Sequence, residues 1–314
     1  MRSVNMATLV LRSSNALDAS VEALEFTLYK QRVLADGGII ANETAVKAAF
    51  QYCFDNNLTE SEVFSATSAN WGVKLEAGKP KKLYTLFGEA GDIDITVGTP
   101  ASINYNTTSF SIPVIELKAA SSNGLKTIGT ANNVKSSGLC IIARAPILAN
   151  GSAYGTVGTF ALGELSNLTP SVSAGETLDK RMNTEFYIRS ASTEVANTWR
   201  YLAYGYGSQG NIETTAAELS DASVWNRTST YLQAGLMQLY KDGAVLKQDT
   251  TVLEKTWIND LYFNIGRSRN AGVTSLDYSS SFYGYIAEAW CLVNTTNEKM
   301  RILSLRSSQL YAAV

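Results

Sequence analysis

The chain has 314 residues, of which 45% are apolar and only 17% charged, with a formal net charge of −2. That length exceeds the roughly 100–200 residues of one domain, and so balanced and thin a charge leaves no basic footprint for a phosphate backbone; nucleic acid is not an expected partner. Histidine is absent, which removes the commonest general base and a leading metal ligand, so no enzyme, no catalytic residue and no metal site is expected.

Taken in chain order, Met1 to Arg12 holds too short an apolar run for a signal peptide, and no stretch of about 18 apolar residues could span a bilayer. No membrane insertion is expected, and synthesis is expected in a cytoplasm. Leu17, Val21, Leu24 and Leu28 then recur at three- and four-residue steps, which predicts a helix stopped at Gly37-Gly38. A second helix is predicted from Thr44 to Leu58, with Val46, Ala49, Phe50, Cys53 and Phe54 on one side and Asn42 as N-cap. Residues 1–70 are therefore read as a helical docking and assembly region. Leu17, Val21, Leu24, Leu28, Phe50 and Phe54 are the candidate interface, with packing on the chain's own sandwich the equal alternative.

Residues 71–104 read as a connector rich in turns, whose carboxylates Glu89, Asp92 and Asp94 are expected to be solvated. From 105 onward short β-rich segments recur between Gly, Asn, Ser and Pro: Ser109 to Leu117, Gly138 to Ala145, Gly155 to Leu162, Thr184 to Ser190, Trp199 to Gly205, Tyr231 to Tyr240, Leu261 to Ile265 and Ser281 to Val293. Helical spacing returns from Asn294 to Tyr311. No βαβ alternation is visible, so residues 105–314 are expected to form a sandwich or barrel with a short C-terminal helix. Cys53, Cys140 and Cys291 lie far apart and read as buried small apolar residues.

The last 90 or so residues carry the most specific order. Leu239-Tyr240-Lys-Asp-Gly243 is a strand entering a tight turn whose Asp-Gly suits positive φ; Leu261-Tyr-Phe-Asn-Ile-Gly266-Arg267 follows, then Phe282-Tyr-Gly284-Tyr-Ile286-Ala-Glu288. This order resembles the concanavalin A-like jelly-roll family, including laminin G-like and pentraxin-like domains, across residues 225–311 and more weakly back to about 105. The resemblance implies a mainly β protein, an antiparallel jelly-roll sandwich with an N-terminal helical hairpin. Strand alternation would place Phe282, Gly284, Ile286 and Glu288 on one face and Tyr283, Tyr285, Ala287 and Ala289 on the other. Gly284 would admit a close neighbour, and Glu288 would need a partner if it pointed inward.

The family hosts lectins, glycoside hydrolases and adhesion modules. The hydrolase branch uses Glu-x-Asp-x-x-Glu, which is missing here. A lectin-type calcium site needs several Asp and Asn oxygens; Asp242 and Asp277 are candidate contributors, but a turn role is preferred for Asp242 and no cofactor is expected. Trp71-Gly-Val-Lys-Leu and Lys81-Lys-Leu-Tyr84-Thr-Leu-Phe further resemble the start of phage-encoded virion proteins that end in a laminin G-like domain. This implies a virion structural protein, tail-associated as a fibre or receptor-binding part, whose partners are its own copies, other virion proteins and a host surface glycan. A capsid decoration protein, a cellular lectin-like adhesion module and a glycan-cleaving enzyme are the alternatives. Trp199, Tyr204 and Tyr206 are candidates to stack on sugar rings, and Arg267 and Arg269 to grip a carboxylated sugar or an acidic partner. The preferred readings of these residues are the ordinary ones, core–solvent alternation along one strand and an exposed loop pair.

Overall fold

The computed structural model describes residues 15–95, 103–118, 125–144, 155–162, 182–188, 198–199, 201–204, 211–213, 220–221, 224–233, 235–250, 261–266 and 282–310. In chain order the elements are α1 (Asn15–Ala35), β1 (Ile39–Ile40), α2 (Glu43–Asp55), β2 (Val63–Ser68), β3 (Gly72–Glu76), β4 (Lys79–Leu83), β5 (Ile93–Asp94), β6 (Ile103–Asn106), β7 (Val114–Leu117), β8 (Leu125–Thr127) and β9 (Ser136–Arg144). There follow β10 (Gly155–Leu162), β11 (Met182–Ile188), β12 (Thr198–Trp199), β13 (Tyr201–Tyr204), β14 (Asn211–Glu213), β15 (Ser220–Asp221), β16 (Asn226–Gln233), β17 (Leu236–Lys241), β18 (Ala244–Asp249), β19 (Leu261–Ile265), β20 (Gly284–Val293) and α3 (Asn297–Leu310).

The strands form an antiparallel β-sandwich. One sheet runs β1-β3-β4-β5-β8-β19-β10-β11-β13-β14 and the other β18-β17-β16-β9-β20-β7-β6, while β12 and β15 pair separately. β9 pairs with β20 along its length, from Tyr285 to Val293; β7 and β2 therefore share the opposite edge, β7 at Gly284 to Ile286 and β2 at Glu288 to Leu292.

The second sheet is buried on both faces. In β9, Leu139, Ile141 and Ala143 face the other sheet, whereas Cys140 lies under the helices and Ile142 under a smaller aromatic cluster. The run Leu139-Cys-Ile-Ile-Ala143 is consequently apolar at every position, the pattern of a strand with no solvent face. All three cysteines are buried and none is in a disulfide, as expected of small apolar fillers; burial pushes the Cys53 thiol up to about 12.

The helices form a third layer. Asn42 caps α2 by accepting from the Ala45 amide at 3.0 Å, and Val46, Ala49, Phe50 and Cys53 become its buried side. These meet Phe26, Tyr29 and Val33 of α1 together with Trp71 and Trp290, whose rings cross edge to face with centroids 5.7 Å apart. From the other end α3 lays Met300 and Leu303 on the same layer. Gly138 makes that contact fit, because a Cβ there would sit 2.6 Å from Met300 Cγ and 2.6 Å from the Thr230 carbonyl oxygen.

Four sequence expectations change. Residues 71–104 are not a connector: β3, β4, β5 and β6 are woven into both sheets, with Val73, Leu83, Ile93 and Ile103 in the inter-sheet core. Within 1–70, β2 is a strand of the second sheet, so the assembly region and the sandwich share one core. Tyr231 to Tyr240 is two strands, β16 and β17, separated near Gly235 at φ +78°. The following turn does hold Asp242 at φ 50° and Gly243 at 81°, the two positive values that Asp-Gly was expected to supply.

The fourth change concerns β20. A bulge between Ile286 and Glu288 breaks the alternation, so Ile286 shares the inter-sheet core with Ala289, Cys291 and Val293, while Trp290 and Leu292 turn to the helices. Glu288 goes with the latter and finds partners there: Trp290 Nε1 donates to it at 2.9 Å and Arg306 Nη1 of α3 at 2.8 Å. Arg306 also lies over the rings of Tyr52, at 4.6 Å, and Trp290, at 5.4 Å. Both charges are nearly sealed from water, with 3% and 6% of their side chains exposed. Removing one partner of such a pair leaves the other charged and desolvated, a cost of about 3–5 kcal/mol. Arg306→Ala is therefore expected to lower unfolding free energy by about that amount, and the double variant Glu288→Gln, Arg306→Met by clearly less; urea titrations of the two variants measure the difference.

Candidate functional site

Two surfaces and one ionic lock stand out. The lock fastens α1 to the first sheet. Arg32 Nη1 donates to both Asp92 oxygens at 2.7 Å, and Lys82 Nζ lies 2.9 Å from the same carboxylate. Asp92 also accepts from the Thr85 amide at 2.9 Å and is fully buried. The expectation of a solvated turn carboxylate is thereby corrected: folding of β4 and β5 carries Asp92 under α1, where two cations neutralise it. Lys82 further bridges to Asp36, which also takes Lys74 at 2.9 Å and the Tyr84 hydroxyl at 2.8 Å.

The hydrogen bond from Lys74, followed by that from Tyr84, holds the Asp36 carboxyl well below the usual carboxylate range. A carboxylate so depressed stabilises the fold fully above its ordinary pKa of about 3.9 and loses that stabilisation as pH falls through the lower folded value.

The first surface is the outward side of α1. Leu24 and Leu28 are 53% and 51% exposed, on the side of the helix away from buried Phe26, Tyr29 and Val33. The sequence reading grouped them with Phe50 and Phe54, but the structure separates the two sets: Phe50 is fully buried and Phe54 packs against the same core, so both belong to the chain's own interior. Leu17 and Val21 occupy the first turns of α1.

The second surface is the outer face of the sheet where β6, β7, β20 and β9 lie side by side. Strand pairing aligns Asn104 with Glu116, Glu116 with Tyr285, and Tyr285 with Arg144. Residues paired in register point to the same face, so these four make one row across four strands. Asn104 Nδ2 donates to Glu116 Oε2 at 3.1 Å, and Lys79 Nζ donates to Asn104 Oδ1. The Phe110 ring meets Tyr285 at 4.9 Å and Trp225 at 5.2 Å between centroids, both edge to face, and the Arg144 guanidinium lies 5.4 Å over it. Phe110, Tyr285, Glu116 and Arg144 are each half-buried, while Trp225 is buried beneath, with Val114, Ile142 and Ala287. Burial raises the Tyr285 phenol above its ordinary value, and nearby Glu116 adds to the rise.

The predicted aromatic run does not lie on one strand: Trp199 is in β12, opposite Ser220, and Tyr204 is in β13, opposite Glu185 and Asn211, in different sheets. Tyr206, Arg267, Arg269 and Asp277 lie outside the described residues. Sequence reasoning missed Glu116, Arg144 and Phe110 altogether, and the only available signal was the alternation around Tyr285. Among the described residues no group of three or more His, Cys, Asp and Glu side chains is placed to hold a metal ion, and no helix is long and apolar enough to cross a membrane.

No family model and no curated protein matches the sequence. Among solved structures the chain is similar to Trypanosoma rangeli sialidase in complex with sialic acid, with a TM-score of 0.50 and 10% identity over 82% of this chain and 34% of that one. It is also similar to domain 4 of AbnA, a GH43 extracellular arabinanase from Geobacillus stearothermophilus in complex with arabinotriose, with a TM-score of 0.43 and 14% identity over 78% of this chain and 100% of that one. A third is the heptameric SAP-like pentraxin from Limulus polyphemus, with a TM-score of 0.39 and 14% identity over 56% of this chain and 73% of that one. The chain spans about a third of the length of the sialidase it matches. The sialidase likeness is one of fold, and the molecule is an antiparallel β-sandwich protein with a helical layer on one sheet.

Asp36→Asn is expected to destabilise the fold at pH 7 and to flatten its loss of stability below about pH 4. Urea unfolding of the parent and the variant between pH 7 and 2 measures this, and parallel curves would rule out Asp36 as the source.

Proposed function

We propose that the chain is a non-enzymatic structural protein of a tailed-bacteriophage virion, tail-associated, that assembles with its own copies through α1 and carries its sandwich outward. The observation behind the reading is the two-sided apolar character of α1. One side is consumed by the chain's own core, whereas Leu24 and Leu28 stand exposed on the other. A helix that served only to cover its sandwich would turn polar residues to water there, and grouped exposed apolar residues mark interaction surfaces.

The steps from Leu17 to Val21, Leu24 and Leu28 are four, three and four residues, the a/d spacing by which one helix seats on another of like pattern. The helix of this chain that carries that pattern is α1 itself, so the partner is a second copy of α1. The Ser-, Thr- and Asn-rich, thinly charged composition and the resemblance of Trp71 to Phe87 to phage-encoded virion proteins supply the setting. Among the described residues the paired carboxylates Asp36 and Asp92 are held as ion-pair anchors around Lys82 instead of standing free as acid and nucleophile, which supports a non-catalytic role. A capsid decoration protein is the second reading, since it would use the same helix surface.

Light scattering is expected to show an oligomer for the full chain and a monomer for Leu24→Glu, Leu28→Glu, with the parental far-UV circular dichroism because both positions face water in the single chain. A parent chain that stays monomeric at every concentration would overturn assembly through α1. Mass spectrometry of purified particles from the source is expected to find the chain among the structural proteins, and finding it only in the soluble fraction would overturn the virion reading.

A further inference from the structure

We infer that the row Asn104, Glu116, Tyr285 and Arg144, with Phe110 beside it, is a binding site for an acidic glycan, a sugar chain carrying carboxylate groups. The site is independent of assembly through α1, since it lies at the other end of the sheet's outer face from the helices.

Shape comes first. Strands spaced about 4.8 Å apart make a four-strand row about 14 Å long, a platform for an extended chain of rings. The helical layer covers the same sheet face at Cys140, Trp290 and Leu292, and where it ends the row begins. The half-buried rings of Phe110 and Tyr285 offer apolar surface, which suits the apolar faces of pyranose rings. Trp225 wedges edge to face under Phe110, so that ring is fixed before any ligand arrives and little freedom is lost on binding.

Chemistry comes second. Glu116 and Asn104 are already joined, yet a carboxylate accepts about four hydrogen bonds and an amide offers two donors and an acceptor, leaving capacity for sugar hydroxyls, which both donate and accept. Arg144 gives the charge preference. Its guanidinium lies over the Phe110 ring, 5.4 Å from the centroid, and makes no ion pair with a described residue. A half-buried guanidinium with five donors in a planar fork, held against an aromatic ring, is built to receive a carboxylate in bidentate fashion. Lys118 Nζ lies 4.0 Å from Glu116 and Lys79 donates to Asn104, so the Glu116 carboxylate is partly neutralised and does not oppose an anion seated at Arg144. In this arrangement the sugar carboxylate sits at Arg144, its ring on Phe110 and Tyr285, and its hydroxyls at Glu116 and Asn104.

The test uses the full chain and two probes of similar length, an oligomer of glucuronic acid and a neutral oligomer of glucose, by titration calorimetry. The acidic oligomer is expected to bind the parent at least tenfold more tightly than the neutral one. Arg144→Gln is expected to abolish that preference and Arg144→Lys to restore part of it, both with parental melting temperatures, and Tyr285→Ala to weaken both probes while staying folded by circular dichroism, with a lower melting temperature because that ring also packs on Phe110. Equal binding of the two probes, an unchanged preference in Arg144→Gln, or no binding of either probe by the folded parent would each overturn the inference. Repeating the titration on the Leu24→Glu, Leu28→Glu variant separates the two readings: binding retained in a monomer leaves the site standing whatever becomes of assembly.

Discussion

The molecule is organised around a single strand that has no free side. β20 is paired on one edge by β9 and on the other by β7 and β2, with one face in the inter-sheet core and the other beneath the helices. A strand in that position must be apolar on both faces, and any polar group it carries must find its partners within the protein. The bulge at Ala287 meets both demands. It turns Trp290 and Leu292 to the helices and sends Glu288 to Arg306, so the C-terminal helix is bound to the centre of the sheet by charge as well as by packing.

Burying the sheet's outer face has a consequence for where recognition can occur. One part of that face is consumed by α1, α2 and α3, and the aromatic cluster of Phe110, Trp225 and Tyr285 closes over Val114, Ile142 and Ala287 in another. Beside these lies the half-buried row running from Asn104 to Arg144, next to rings that packing has already fixed. Preorganisation of this kind comes at no cost to the site, because the cluster is needed in any case to cover the sheet.

The ionic lock shows the same economy. Tertiary folding brings Arg32 of α1 to Asp92, and Lys82 of β4 to both Asp92 and Asp36. A buried Asp92 without these cations would be a large liability; with them it ties the helix to the sheet in one orientation. That orientation is what leaves Leu24 and Leu28 facing outward.

Much of this was legible in the residues. Apolar spacing of three and four residues located both N-terminal helices, Asn42 announced its cap, Asp242-Gly243 its turn, and the run Leu139 to Ala143 its strand, since each depends on neighbours within a few positions. The closing order from Leu239 to Glu288 pointed to the sandwich. Other features were decided only by the tertiary structure, because they depend on which distant segments become neighbours. The bulge that redirects Glu288 depends on the strands flanking β20, and the burial of Asp92 on α1 lying across β4 and β5. Which side of α1 would be covered could not be read from spacing, since the helix is apolar on two sides and the sandwich takes only one. The row of Asn104, Glu116, Tyr285 and Arg144 comes from three segments far apart in the chain, and strand register, which local sequence does not encode, is what makes them adjacent.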